Sequence, residues 1–248
     1  MNKRKPYTTL FYKTIQDGSV GSAKEIIPIV IDALNPKSVI DFGCGVGAWL
    51  SVFIEHGINN ILGIDGDWVD EASLLIPSDK FMTFNLENLE NKYLNNRVFD
   101  LALCLEVAEH LPENKAPLLV DNLTSSSSVI LFSAAIPYQG GTNHYNEQWL
   151  SYWIKLFNNK GYKEVDLLRP LIWDNVNIMP WYKQNIIIFC KDSCILDKLL
   201  DIRNKSNYVL SLVHPSIYLW KCNTHSFKEL FIIGIRRVFS YFISQFNI

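Results

Sequence analysis

The most constraining feature of the 248-residue chain is one junction, Asp41-Phe42-Gly43-Cys44-Gly45-Val46-Gly47. A short apolar run, Ser38–Phe42, leads into it and reads as a strand. Ala48–His56 follows and reads as a helix, with Trp49, Val52 and Phe53 on one side. Glycines at such a turn admit positive φ and let the backbone approach a ligand. The helix start behind them offers unsatisfied N–H groups. A second strand, Asn60–Ile64, ends at another acid, Asp65. In a doubly wound sheet the carboxyl ends of neighbouring strands share one crevice, where an acid can accept both ribose hydroxyls. Loop, helix and second acid in this register point to a nucleoside-containing cofactor.

A dinucleotide and S-adenosylmethionine both satisfy that pattern, and Asp41 separates them. A carboxylate two residues before the first glycine repels a pyrophosphate but suits the ammonium of a methionine moiety.

The same alternation continues along the chain. Lys80–Phe84, Phe99–Leu103 and Val129–Phe132 read as further strands, and Glu113–Leu123 and Glu147–Lys160 as helices. Tyr162–Leu168 and Asn185–Cys190 are a last strand pair, suited to an antiparallel hairpin at one edge. Continuous apolar runs between helices specify a doubly wound, mostly parallel α/β sheet. Upstream, Ser22-x-x-Glu25 reads as a capping box opening a helix to about Leu34, which Asn35-Pro36 ends. After Cys190 the alternation stops. Ile195–Arg203 reads as a helix, Val213–Trp220 is ambiguous and Phe227–Ile248 reads as a long helix. Two domains are therefore expected: residues 1–192 with the sheet, and a helical C-terminal extension over 193–248.

With 23 basic and 25 acidic residues, the chain lacks the bulk charge of a nucleic-acid binder. Its five cysteines (Cys44, Cys104, Cys190, Cys194 and Cys222) are scattered and form no C-x-x-C pair, as expected of free thiols in a reducing, cytoplasmic setting. The basic start, Met1–Pro6, runs into polar residues, so no signal peptide is read. No apolar stretch reaches the roughly 18 residues of a spanning helix.

At this point the residues carry a resemblance. "VIDFGCGVGAWL" (Val39–Leu50) resembles the first motif of class I S-adenosylmethionine-dependent methyltransferases. "GIDGD", with Asp65, is similar to their ribose-binding segment, and "FDLALCLEVAEHLP" (Phe99–Pro112) to their fourth-strand motif. The resemblance covers about residues 20–190. It implies a Rossmann-like seven-stranded sheet, with Asp41, Gly43, Gly45, Gly47 and Asp65 on the cofactor and Asn85, Leu86 and Glu87 at the adenine. It also implies an N-terminal segment, Tyr7–Gly21, lying over the cofactor, with Tyr12 and Ser22 as contacts.

Chemistry is expected from two loops. Glu106-Val107-Ala108-Glu109-His110 follows the fourth strand, and "SAAIPYQGGTNHYNEQW" (Ser133–Trp149) follows the fifth. Both open onto the ligand crevice of such a sheet. Methyl transfer to oxygen needs an aligned hydroxyl and a base for its proton. An imidazole suits that task at neutral pH. His144, in a Gly-Gly loop, is the expected base, assisted by His110 or Glu106. Glu106, Glu109, His110 and His144 are also a candidate set for a divalent metal, which would lower a hydroxyl pKa. "EVAEH" with a distal histidine resembles metal-dependent small-RNA 2′-O-methyltransferases, and Glu-x-x-Glu-His resembles O-methyltransferases of ubiquinone biosynthesis. The metal is not the favoured reading. Leu105-Glu106 stands where amino-directed DNA methyltransferases carry Asp/Asn-Pro-Pro-aromatic, and no Pro-Cys dipeptide occurs, so DNA is not expected as a substrate.

"GGTNHYNEQW" and the aromatic residues after it also resemble bacterial methyltransferases of surface-polysaccharide biosynthesis. That resemblance implies a sugar or other small-molecule hydroxyl as acceptor. Trp149 and Trp153, four apart on a helix, read as packing residues. Pro180–Gln184 is expected to help close the acceptor pocket. The competing readings are a metal-dependent RNA 2′-O-methyltransferase and a non-catalytic cofactor-binding partner subunit. Phe227–Ile248, with a wide apolar arc and Lys228, Arg236 and Arg237 on its polar side, is expected to pack, to dimerise or to lie in a membrane surface.

Overall fold

The computed structural model describes residues 9–88, 94, 97–202 and 212–223, so the segment Phe227–Ile248 lies outside the described residues. The chain divides into two compact units, Met1–Leu212 and Val213–Ile248. In the second, the described helix is Pro215–Asn223, over the stretch whose sequence is ambiguous. No described helix is long and apolar enough to cross a membrane.

The first unit is built on seven strands: β1 (Ser38–Phe42), β2 (Asn60–Asp65), β3 (Phe81–Thr83), β4 (Leu101–Leu105), β5 (Val129–Ser133), β6 (Lys163–Val165) and β7 (Ile187–Cys190). Their order is β3-β2-β1-β4-β5-β7-β6. All neighbours are parallel except β7, which runs antiparallel to both β5 and β6. This is the doubly wound, mostly parallel sheet that the sequence pattern predicts, with its antiparallel pair at one edge. The chain leaves β1 toward β3 and returns to add β4 on the other side. That reversal opens a crevice at the carboxyl ends of β1 and β4. Asp41 lies there, level with Gly63 in β2 and Leu103 in β4.

Helices cover both faces. Val39, Leu101, Leu103, Val129 and Leu131 pack against α1 (Thr9–Leu34) and α2 (Ala48–Glu55), together with the short helices α5 (Leu168–Ile172), α6 (Pro180–Asn185) and α7 (Ser193–Ile202). Ile40, Phe42, Ala102, Ile130 and Phe132 pack against α3 (Ala116–Ser126) and α4 (Leu150–Asn158). Burial on both faces is why these strands read as unbroken apolar runs. On the second face Phe157 of α4 stacks on Phe189 of β7, with centroids 3.9 Å apart.

Several boundaries differ from the sequence reading, four of them for a visible reason. Helix α1 begins at Thr9, so Ser22 is an interior residue and not a cap. Its hydroxyl donates to Gly18 O at 2.7 Å and accepts Met179 N–H at 3.0 Å, bracing α1 against the segment before α6. Glu25 likewise faces tertiary partners, Asn175 and Asn177. The strand expected over Tyr162–Leu168 stops at Val165. Asp166 there forms a buried two-point pair with Arg169 (2.8 and 2.9 Å), and the chain turns into α5. Helix α4 starts at Leu150 because Glu147, its expected first residue, serves the preceding loop. Helix α7 belongs to the first unit, packed against β6 and β7, whereas the sequence reading placed residues 193 onward in the extension.

Candidate active site

The crevice is assembled from the glycine turn upward. Gly43, Gly45 and Gly47 all have positive φ (81°, 54° and 83°). At Gly43 a side chain is also excluded by contact, because a Cβ would overlap the Val107 isopropyl group. The turn is tied to β2 by Gly43 N–H and Cys44 N–H on Ile64 O (2.8 and 3.1 Å). Asp65 completes it, with Oδ2 accepting Gly45 N–H and Oδ1 accepting Gly66 N–H, both at 2.7 Å. Phe84 N–H donates to Asp65 O at 2.6 Å, which holds Asn85–Glu87 beside the same acid. Asn85 Oδ1 accepts Glu87 N–H there, and Leu86 is buried. Asp41 is buried beneath the turn, and burial followed by the nearby Asp65 charge raises its pKa from 3.8 to about 7. All eight residues expected at the cofactor thus lie along one edge.

The two polar loops meet beside it, at the ends of β4 and β5. Tyr145 N–H and Asn146 N–H donate to Glu109 O (2.8 and 3.0 Å), which laces one loop to the other. The second loop folds around Glu147. Its carboxylate accepts Tyr138 N–H at 2.8 Å, Gly140 N–H at 2.6 Å and the His144 Nδ1 proton at 2.9 Å. With Nδ1 engaged as donor, His144 presents Nε2 as a base or ligand. The His110 ring lies edge-on to it, centroids 4.8 Å apart. His110 Nδ1 bonds Asn143 O at 3.2 Å, and burial with the neighbouring His144 lowers its pKa.

The acids of the first loop diverge. Glu106, in left-handed backbone (φ 54°), turns its carboxylate into an amide network. Asn185 Nδ2 donates to Oε1 at 3.0 Å and Gln139 Nε2 to Oε2 at 3.1 Å. Gln184 Nε2 donates to Gln139 Oε1 at 3.0 Å. Burial raises the Glu106 pKa, against the pull of these donors. Glu109 is 1% exposed, and among the described residues neither of its carboxylate oxygens has a partner in good hydrogen-bond geometry, although the backbone N–H groups of Glu109 and Ala135 act on it. Burial first and the Glu106 charge second push its pKa well up. Glu109, His110 and His144 each offer a ligand atom, all within 4.8 Å of one another. A buried, weakly hydrogen-bonded carboxylate facing two imidazoles is a donor set suited to a divalent cation. Glu106, the fourth candidate, is not in that cluster.

A family model described as a methyltransferase domain matches residues 23–163, more than half of the chain, from the glycine turn through the His144 loop. The chain belongs to this methyltransferase family. No curated protein matches it in sequence. Among solved structures, the methyltransferase resembles an O-methyltransferase family protein from Burkholderia thailandensis at 13% identity and a TM-score of 0.51, covering 75% of this chain and 61% of that one. It also resembles the S-adenosylmethionine-bound CalS10, an amino pentose methyltransferase from Micromonospora echinaspora involved in calicheamicin biosynthesis. That match has 10% identity and a TM-score of 0.52, covering 77% of this chain and all of the other. At these identities the likeness establishes the shared fold.

Other expected residues of the methyltransferase are placed as follows. Trp153 is buried, as packing predicts, whereas Trp149 caps α4 and is partly exposed. Ser22 is spent on the α1 brace instead of facing the crevice. The side chain of Tyr12 is outside the description. Pro180–Gln184 does reach the site, through Gln184 and the adjoining Asn185. Gln139 and Asn185 are not singled out by the sequence, because isolated amides carry no spacing signal, and Gln184 enters only as the end of Pro180–Gln184.

Proposed function

We propose that this methyltransferase moves the methyl group of S-adenosylmethionine to a hydroxyl oxygen of a sugar or similar small acceptor in cell-envelope glycan biosynthesis. The observation that carries the reading is His144, its Nδ1 fixed on Glu147 and its Nε2 left available, in a loop at the end of β5 beside the glycine turn.

The crevice fits the cofactor by its own chemistry. Asp65 is positioned by two backbone N–H groups at the height where a ribose would enter. Asp41 is a buried acid that gains from an ammonium neighbour. When bound, S-adenosylmethionine supplies an electrophilic methyl carbon on a sulfonium sulfur. The chain's part is to take the acceptor's proton onto His144 Nε2 as the hydroxyl oxygen bonds to carbon, the carbon–sulfur bond electrons staying on sulfur. Glu147 then faces the imidazolium and stabilises it. The resemblance of the His144 loop to polysaccharide methyltransferases, and the sugar acceptor named for the Micromonospora protein, favour a sugar hydroxyl.

The test is transfer of labelled methyl to a panel of nucleotide-sugars, glycans, amines and small RNAs. Wild type is expected to label a hydroxyl acceptor, and His144→Ala to lower kcat about 100-fold or more. Labelling of an amine alone would refute O-methylation.

A second reading is favoured by the weakly hydrogen-bonded Glu109 carboxylate: a divalent metal on Glu109, His110 and His144. There the metal would bind the acceptor oxygen and lower its pKa, with His144 as ligand instead of base. Exhaustive chelation separates the two. Activity that survives it supports the base, and activity lost and restored by Mg²⁺ or Mn²⁺ supports the metal.

A further inference from the structure

The loop that carries His144 holds two tyrosines whose rings the proposed transfer leaves unused. Tyr138 is 86% exposed and Tyr145 68%, although aromatic rings are among the side chains that gain most from burial. Tyr138 also has φ 68°, a left-handed backbone that suits glycine and strains a bulky residue. Its ring thus costs the fold and buries little in return. Both backbones, by contrast, are fixed. Tyr138 N–H donates to Glu147, the carboxylate that also holds His144 Nδ1. Tyr145 follows His144 directly, and its N–H donates to Glu109 O. Two exposed aromatic rings are therefore anchored on the residues that orient the proposed base.

The rest of the loop limits what these rings can hold. Ser133–Trp149 contains no lysine or arginine, and its one acid is Glu147. A phosphate finds no cation in it. Neutral hydrogen-bonding groups stand there instead, with Asn143 exposed and Gln148 partly exposed. Gly141 supplies room, since a Cβ at that position would overlap the His144 ring at Nε2 and Cε1. An acceptor can therefore approach that nitrogen past bare backbone. Aromatic faces and amides without a cation suit a neutral carbohydrate, whose C–H face is apolar and whose rim is hydroxylated. We propose that Tyr138 and Tyr145 form a stacking platform for a neutral pyranose, held by its C–H face while its hydroxyl meets His144. The proposal rests on the O-methylation reading and names the residues that select the acceptor.

The probes are methyl pyranosides of the gluco, galacto, manno and rhamno series, with a small RNA beside them. Each is offered to the full chain with S-adenosylhomocysteine for binding and with labelled S-adenosylmethionine for turnover. Saturation-transfer NMR on wild type is expected to reach the C–H protons of at least one pyranoside. Tyr138→Ala and Tyr145→Ala should weaken that transfer and raise KM for the same sugar about tenfold, with kcat within about twofold of wild type. Tyr138→Phe keeps a ring and should stay near wild type. Tyr138→Gly should lose the sugar as Tyr138→Ala does, yet melt no lower than wild type, because it relieves the left-handed strain. Sugar methylation with an unchanged KM in both alanine variants overturns the platform and leaves O-methylation standing. A lower melting temperature in Tyr138→Gly overturns it too, since the ring would then serve the fold. Labelling of the RNA alone, or of no pyranoside, overturns the sugar reading itself and this inference with it.

Discussion

Asp41 links one residue's environment to a measurable pH effect. Burial and Asp65 raise its pKa to about 7. Between about pH 4 and 7 the folded free protein holds a proton that the unfolded chain has shed, so its ionisation lowers stability as pH rises. A bound ammonium reverses the preference and favours the carboxylate. Affinity for S-adenosylhomocysteine should therefore fall about tenfold per pH unit below 7 and level off above it, with proton release on binding below that point. Calorimetry in buffers of different ionisation enthalpy reads both. A flat profile from pH 5.5 to 8 would show that Asp41 does not meet the ammonium. Asp41, Asp65 and the three glycines are legible in the sequence because they act within one strand–turn–helix. The Glu106 network is not, because Gln139 comes from the loop after β5 and Gln184 and Asn185 from α6, elements that only the folded sheet brings together.

At the scale of elements, apolar periodicity locates the strands well because both faces of the sheet are buried. It fails where tertiary polar contacts set a boundary. Ser22 and Glu25 look like a capping box, yet both side chains reach across to residues 175–179, and α1 runs on past them. The Asp166–Arg169 pair similarly ends β6, since it buries both charges in a geometry that a continuing strand does not allow. Between α4 and β7, Phe157 and Phe189 are stacked and both fully buried. Replacing Phe157 with alanine removes the stacked ring against Phe189 and opens a cavity in a fully buried layer. A loss of about 3–5 kcal/mol is expected from urea unfolding, with the urea m-value unchanged. A loss below about 1 kcal/mol would mean that α4 is not packed as described.

Across the whole molecule, strand order determines where chemistry can occur. The reversal between β1 and β4 opens one crevice, and the motifs at Gly43–Gly47, Asp65, Asn85–Glu87, Glu106–His110 and His144 all end at that edge. Sequence order alone hides this convergence, since these segments are spread over a hundred residues; the strand register restores it. The most direct test is diffraction from crystals grown with S-adenosylhomocysteine. The ribose hydroxyls should lie within hydrogen-bond distance of the Asp65 carboxylate, about 3 Å, with the sulfur directed toward the loop that carries His144. Density for the ligand away from the β1–β4 crevice, or a sulfur turned away from His144, would contradict this assignment of cofactor and catalytic loop.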